Sequence, residues 1–569
     1  MPLITEESSP GRLRWVVIGC LILVTAVYVG QAWYYRHYVN DDAYITFRYS
    51  RLLAMGDGPY FNPGEHVEGY TSLLQMLLLT PVIGWFGPDA AAPAAKTMGV
   101  LWGLVAILAT WFLTRELLSK NGGMSSKAEF WALGAAAIVA FNAAFALNST
   151  SGLETTLFSM CLIVAVLLAV GETRTGRWHG SGVVFAGAVL ARPEGVLLFA
   201  LFWTAQMFVG LSLKRVMTTS TVSNPGRLRR LLLINGLTVA AVLTAQLIFR
   251  YFFYDGEWLP NTYYAKAGGF LRENAWEYIS RGILTSFFGL AGITLSLIGY
   301  ALLRSLLKAA VPLGVITFGG ILLPFVTGTD WMLGWRFVIP YLPLMSCFVV
   351  VGWGLAATRL MRGRAWLGLL VLPVVVVAQW FIQTEDRIEF HQHTELRAGG
   401  YETGHRALAD WLRGDACRPG ESVALMDIGI VGYRCIEQRI IDISGLTDRH
   451  IARSQGLFLQ KIYDPIYVLD RVPGRVVLTL TAPGQSYQPP PAGTHFRFWT
   501  PIENRIYQHP QFQQLYVHRP AVLDEDLAGL DLLAAQVGAE RVFEHAYPGS
   551  YYLLAVFGRG PGEHQNHGQ

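Results

Sequence analysis

Long apolar runs alternate with short polar connections through the first two thirds of this chain. Runs near 15–34, 95–117, 128–147, 153–171, 180–191, 194–211, 231–249, 283–303, 311–328, 337–357 and 366–382 predict helices. A hydrocarbon core of about 30 Å needs roughly twenty helical residues at ~1.5 Å each, so these runs predict about eleven spans. The run at 180–191 is short for a crossing. It is expected to pair with its successor as a broken or re-entrant element whose ends other protein shields. The apolar segment 72–87 is expected to lie along the outer surface as an interfacial helix. The first run follows Arg12 and Arg14 and is read as a retained helix, because it exceeds a leader's apolar region and further spans follow.

Past residue 385 the period changes. A helical pattern at 401–414 is followed by strand-like segments at 421–427, 439–443 and 475–480. The fold expected is an α-helical polytopic membrane domain over 1–384, with external loop 36–93, followed by a mixed α/β domain over 385–569. The latter is large enough for its own core. Loop charges orient the chain. Arg115, Lys120, Lys127, Arg174, Arg177, Lys214, Arg215, Arg304, Lys308, Arg359 and Arg362 fall on the side of Arg12 and Arg14. The positive-inside rule makes that side cytoplasmic and leaves the C-terminal domain extracytoplasmic, on a multi-pass protein of the cytoplasmic membrane.

Composition agrees. The 569 residues are 52% apolar and 15% charged, against about 25% charged in soluble proteins. Mean hydropathy is +0.36. The net charge of +4 has no basic stripe with interleaved aromatics, so nucleic acid is excluded as an expected partner. Cys20, Cys161 and Cys347 lie in apolar runs as packing residues. Cys417 and Cys435 lie in the domain placed outside, where a disulfide is permitted. A bridge and a pair of buried thiols both remain open readings.

Polar residues with chemical potential gather in the external loops. Asn40-Asp41-Asp42 follows the first span, where carboxylates stay ionised cheaply. One aspartate is explained as a helix N-cap, but two in succession are explained less well. On the helix that follows, Tyr44, Arg48 and Arg51 share a face, and Asp41 aligns with Arg48. A guanidinium that forks a phosphate beside a carboxylate that takes a hydroxyl proton would suit a phosphate-bearing lipid. Glu65 and Glu68 flank His66, a grouping that could hold a divalent cation, although the spacing matches no standard site and no cofactor is otherwise indicated. Arg192 and Glu194 sit at the break between two apolar runs, as an ion pair or as substrate contacts. Tyr263 and Lys266 lie beside Asn261, and Asp330 and Arg336 share a short loop. There is no Walker-type loop and no zinc-type Cys/His array.

Asp41-Asp42-Ala43-Tyr44-Ile45-Thr46-Phe47-Arg48-Tyr49 and the glycine-rich segment 56–71 resemble the first external loop of GT-C glycosyltransferases of the AftB-like, terminal arabinofuranosyltransferase branch. The resemblance continues through 151–158, 191–195, 259–266, 330–337, 427–429 and 441–448. It implies transfer of a sugar, arabinofuranose in that branch, from a polyprenyl-phosphate donor to an envelope glycan acceptor at the outer face of the membrane. Asp41 and Asp42 inherit the catalytic role, without distinction as to which is the base. Arg48, Glu68, Arg192, Glu194, Tyr263, Lys266, Asp330 and Arg336 are the expected substrate contacts. The rival readings are a transporter or flippase of lipid-linked sugars, and a glycosyltransferase acting on protein or lipid A.

Overall fold

The computed structural model describes residues 10–119, 126–212, 225–266, 274–286, 292, 310–330, 332–360, 369–482, 496–518, 529–547 and 550–560. The helical part opens with α1 (Pro10–Tyr34), α2 (Asp41–Met55), α3 (Leu73–Phe86), α4 (Ala91–Leu118), α5 (Ser126–Ala140), α6 (Ala143–Ser149) and α7 (Thr155–Thr175). It continues with α8 (Ser181–Ala191), α9 (Glu194–Ser212) and α10 (Pro225–Phe253). Among the described residues four helices are long and apolar enough to cross a membrane, within α1, α4, α7 and α10. The bent pair α5–α6 makes a fifth if counted as one span.

The expected eleven spans therefore do not emerge as eleven long helices. Several apolar runs are held as shorter pieces, and most of the run at 283–303 lies outside the described residues. Breaks have local causes. The expected single span at 128–147 bends by 64° between α5 and α6. There the Asn142 side chain accepts from the Phe145 N–H at 2.9 Å, and Gln383 Oε1 accepts from the Ala143 N–H at 3.0 Å. Two amides freed by the break thus find side-chain acceptors, as a buried kink requires. Arg192-Pro193 separates α8 from α9. Segment 72–87 is the helix α3, capped by Ser72 and packed on α2, with Trp85 and Phe86 exposed.

The C-terminal part is built on a mixed sheet in the order β2-β1-β3-β6-β5, with β4 paired to β3. These strands are β1 (Ser422–Leu425), β2 (Arg439–Asp442), β3 (Arg475–Ala482), β4 (Arg497–Phe498), β5 (Arg541–Tyr547) and β6 (Ser550–Gly558). β1 runs parallel to β2 and β3, while β6 is antiparallel to β3 and β5. Alternation along the strands divides two cores. Val423, Leu425, Val477 and Leu554 pack with Ile45 and Tyr49 of α2. Ala424, Val476, Leu478 and Leu553 face the opposite way, toward the helices Pro501–Gln508 and Pro510–Tyr516. The sheet domain thus shares one of its cores with the loop after α1.

Cys417 and Cys435 are free thiols, and no disulfide joins them. The Cys435 thiol instead donates to the Ala409 carbonyl at 3.5 Å, and burial pushes both thiols up to about 12. All five cysteines should react with a thiol reagent in denaturing, non-reducing buffer, whereas a titre two lower would restore the bridge.

Candidate active site

Helix α2 grips a short helix of the sheet domain at both ends. That helix, Ile428–Arg434, links β1 to β2. At its start the Gly429 and Ile430 N–H groups donate to Asp41 Oδ2 and Oδ1 at 2.8 and 2.7 Å. At its end the Gly432 and Cys435 carbonyls accept from Arg48 Nη1, the latter at 3.0 Å. Arg48 also donates to the carbonyls of Phe61 at 2.5 Å and Gln438 at 3.1 Å. Asp41 and Arg48 lie seven residues apart, about two turns or ~10.5 Å along α2, which matches the length of a seven-residue helix. Carboxylate meets the positive end of the helix dipole and guanidinium the negative end. Gly429 allows the approach, because a Cβ there would lie 1.9 Å from the Asp41 carbonyl oxygen.

This placement corrects the reading of Arg48. It is 0% exposed and committed to backbone carbonyls, so it is not available to a lipid phosphate. Glu68 is corrected for a similar reason. It is buried in a two-pronged ion pair with Arg250 at 2.7 and 3.0 Å. Tyr263 is exposed, and its ring meets the edge of Tyr264. The cation grouping around His66 is dispersed. Glu65 pairs with Arg439, Glu68 with Arg250, and the His66 ring contacts the Phe253 carbonyl. Among the described residues no three His, Cys, Asp or Glu side chains gather as a metal site.

Asp42 is the carboxylate that α2 leaves over. Among the described residues its side chain accepts no hydrogen bond, while its N–H donates to Asn40 Oδ1 at 3.2 Å. Burial raises its pKa above the usual carboxylate range, against the pull of Lys266 and Arg336 and with the push of Asp330. Asp41 is also raised by burial, to about 7, with His405 as the strongest opposing charge. The Lys266 ammonium has no hydrogen-bond or ion-pair partner among the described residues, and lies 5.4 Å from the centre of the Phe458 ring. Burial lowers its pKa while Asp42 opposes the shift. Arg336 is ion-paired with Asp330. Arg192 sits between Glu194 at 3.2 Å and Glu154 at 3.6 Å, and donates to the Arg336 carbonyl at 3.3 Å. Charges from three other segments, at Lys266, at Asp330 and Arg336, and at Asp427, therefore act on Asp42.

A cavity of about 260 Å³ opens on Asp41 and Asp42. Most of its wall comes from the sheet domain, including His405, Asp427, Phe458, Trp499 and Tyr552. Sequence reasoning missed these residues and Glu154. Glu154 stands inside the 151–158 segment, and Asp427 opens the segment that carries Gly429. Nothing local marks His405, Trp499 or Tyr552, which reach the cavity only through the sheet topology.

The fold resembles that of one solved membrane protein. ArnT from Cupriavidus metallidurans in the apo state matches with a TM-score of 0.52 at 13% identity, over 82% of this chain and 93% of that one. In sequence the chain is similar to two curated proteins, each a terminal β-(1→2)-arabinofuranosyltransferase. The Corynebacterium glutamicum protein is 26% identical over 429 residues, 69% of this chain and 58% of that protein. The Mycobacterium tuberculosis protein is 31% identical over 196 residues, 32% of this chain and 30% of that protein. The chain thus spans less than two thirds of the length of either. Residues 389–530 match a family model described as "Domain of unknown function (DUF8728)".

The clamp predicts stability effects. Arg48→Lys should cost about 2 kcal/mol or more, because an ammonium cannot serve this fan of carbonyls. Gly429→Ala should cost about 1–3 kcal/mol by overpacking. Both effects are read as lowered thermal midpoints of the purified protein; unchanged midpoints would show that the clamp is not holding the two parts together.

Proposed function

We propose that this protein is a membrane glycosyltransferase that moves a sugar, arabinofuranose by the likeness to its sequence relatives, from a polyprenyl-phosphate donor to a hydroxyl of an envelope glycan. The observation that carries this reading is a cavity-lining carboxylate without a hydrogen-bond partner among the described residues, Asp42, whose strongest favouring charge is the unpaired ammonium of Lys266. Asp42 is the base in this scheme and Asp41 the residue that positions it. The acceptor O–H gives its proton to the Asp42 carboxylate as its oxygen bonds to the anomeric carbon. The bond from that carbon to the phosphate oxygen breaks, and polyprenyl phosphate leaves toward Lys266, with Arg336 behind it. Cations fixed beforehand beside a leaving anion stabilise the transition state without reorganising at the moment of reaction. Arg192, paired with Glu194 and Glu154, donates to the Arg336 carbonyl and so supports its position. The loop charges favour placing this chemistry at the outer face of the cytoplasmic membrane, with the sheet domain extracytoplasmic. A reporter joined to the C-terminus of this chain should then score as external, and a cytoplasmic score would reverse the orientation.

Supplied with an arabinofuranose oligosaccharide as acceptor, purified protein in detergent should release polyprenyl phosphate from a polyprenyl-phosphoryl arabinofuranose. Asp42→Asn should lower the rate by about 10² to 10⁴ with an unchanged thermal midpoint. Full activity in that variant would remove Asp42 from the chemistry. Because the pKa of Asp42 is raised, its basic form is lost as pH falls through a value above the usual carboxylate range. The acid limb of the pH–rate profile should therefore lie above that range. Lys266→Met removes a charge that favours the carboxylate and should move the limb to higher pH; a shift to lower pH would contradict the assignment.

A further inference from the structure

Across the cavity from Asp42, the sheet domain carries polar and aromatic groups that the transfer scheme does not use. His405 is 2% exposed, and its Nε2 lies 3.2 Å from Asp427 Oδ2. Its Nδ1 has no hydrogen-bond partner among the described residues. Tyr401 and His545 wedge the ring from two sides, with ring centroids at 5.2 and 5.0 Å. The imidazole is therefore fixed in a single orientation by aromatic neighbours and one carboxylate. Asp427 keeps its side chain 39% exposed and lines the cavity. Near it are Trp499, 37% exposed, and Tyr552, whose rings meet edge to face at 5.5 Å.

A half-exposed aromatic face beside a rigid imidazole–carboxylate pair suits one chemical class. Ring C–H faces lie on the aromatics, and hydroxyls exchange hydrogen bonds with the carboxylate and the imidazole. The charge on the wall narrows the class further. Asp41, Asp42 and Asp427 all line the cavity beside His405 and His545, and among the described residues no lysine or arginine does. An anionic saccharide would meet carboxylates on both sides, whereas a neutral one would not.

We infer that His405, Asp427, Trp499 and Tyr552 form an acceptor subsite that seats one neutral sugar unit with its attacking hydroxyl turned toward Asp42. The inference rests on the glycosyltransferase reading for the direction in which the sugar is used, but binding at this wall can be measured without turnover. Calorimetric titration of the whole detergent-solubilised protein with a neutral arabinofuranose oligosaccharide should give saturable binding. Trp499→Ala and His405→Gln should each weaken it about tenfold, the effect of losing one ring contact or one net hydrogen bond. Trp178→Ala, at an exposed tryptophan that does not line the cavity, should bind as the unaltered protein does. The same oligosaccharide bearing a terminal phosphate should bind more weakly. The partly exposed Trp499 makes its alanine variant an independent check should the buried His405 variant fold poorly. Wild-type affinity in both variants, tighter binding of the phosphorylated probe, or no binding by the unaltered protein would each overturn the subsite. Binding without any release of polyprenyl phosphate from donor would overturn the transferase reading and leave the subsite standing.

Discussion

The two-ended grip of α2 on the helix Ile428–Arg434 is the constraint on which the rest of the site depends. A buried guanidinium without a carboxylate partner is costly, and burial pulls the Arg48 pKa down to about 10. Here the cost is offset by a fan of carbonyl acceptors at a helix C-terminus, where a cation is also favoured by the dipole. Arginine alone among the basic side chains presents donors in several directions from one plane. Asp41 supplies the complementary half at the other end. The two contacts together fix both the position and the direction of the sheet domain over the loop.

With the domain seated, Asp42 acquires its surroundings. The charges that act on it most strongly come from outside its own helix. Lys266 comes from the segment after α10, Arg336 and Asp330 from a loop between later helices, and the cavity wall from the sheet. Most charges in this group are already paired: Arg336 with Asp330, and Arg192 with Glu154 and Glu194. Pairing makes burial of so many ionised groups tolerable, and it leaves Asp42 and Lys266 as the two without a fixed partner among the described residues. Site and scaffold therefore differ by whether a charge is satisfied, not by residue type.

Much of the scaffold was legible in the chain. Apolar periodicity located nearly every described helix of the first part, and the strands at 422–425, 439–442 and 475–482 fall where alternation placed them. The alignment of Asp41 with Arg48 was legible too, but not its use. Spacing shows that a carboxylate and a guanidinium share a face; it does not show whether a ligand or another helix lies against that face. The partner here is 388 residues away, a separation that no local pattern spans. Glu68 misled in the same way, since its arginine partner sits 182 residues on. The cysteine pair was open in the sequence, and the buried-thiol alternative is the one found. Suitable spacing and an exterior location permit a bridge, but side-chain direction decides, and Cys435 points at a backbone carbonyl.

Gly429 gives this arrangement a mechanical character. Where its missing side chain would be, the Asp41 main chain passes, so the two backbones touch with nothing compressible between them. A seam of that kind has no slack: the loop and the domain must translate as one stiff body. Any widening of the entrance for a bulky polymer would then have to come from somewhere other than this seam.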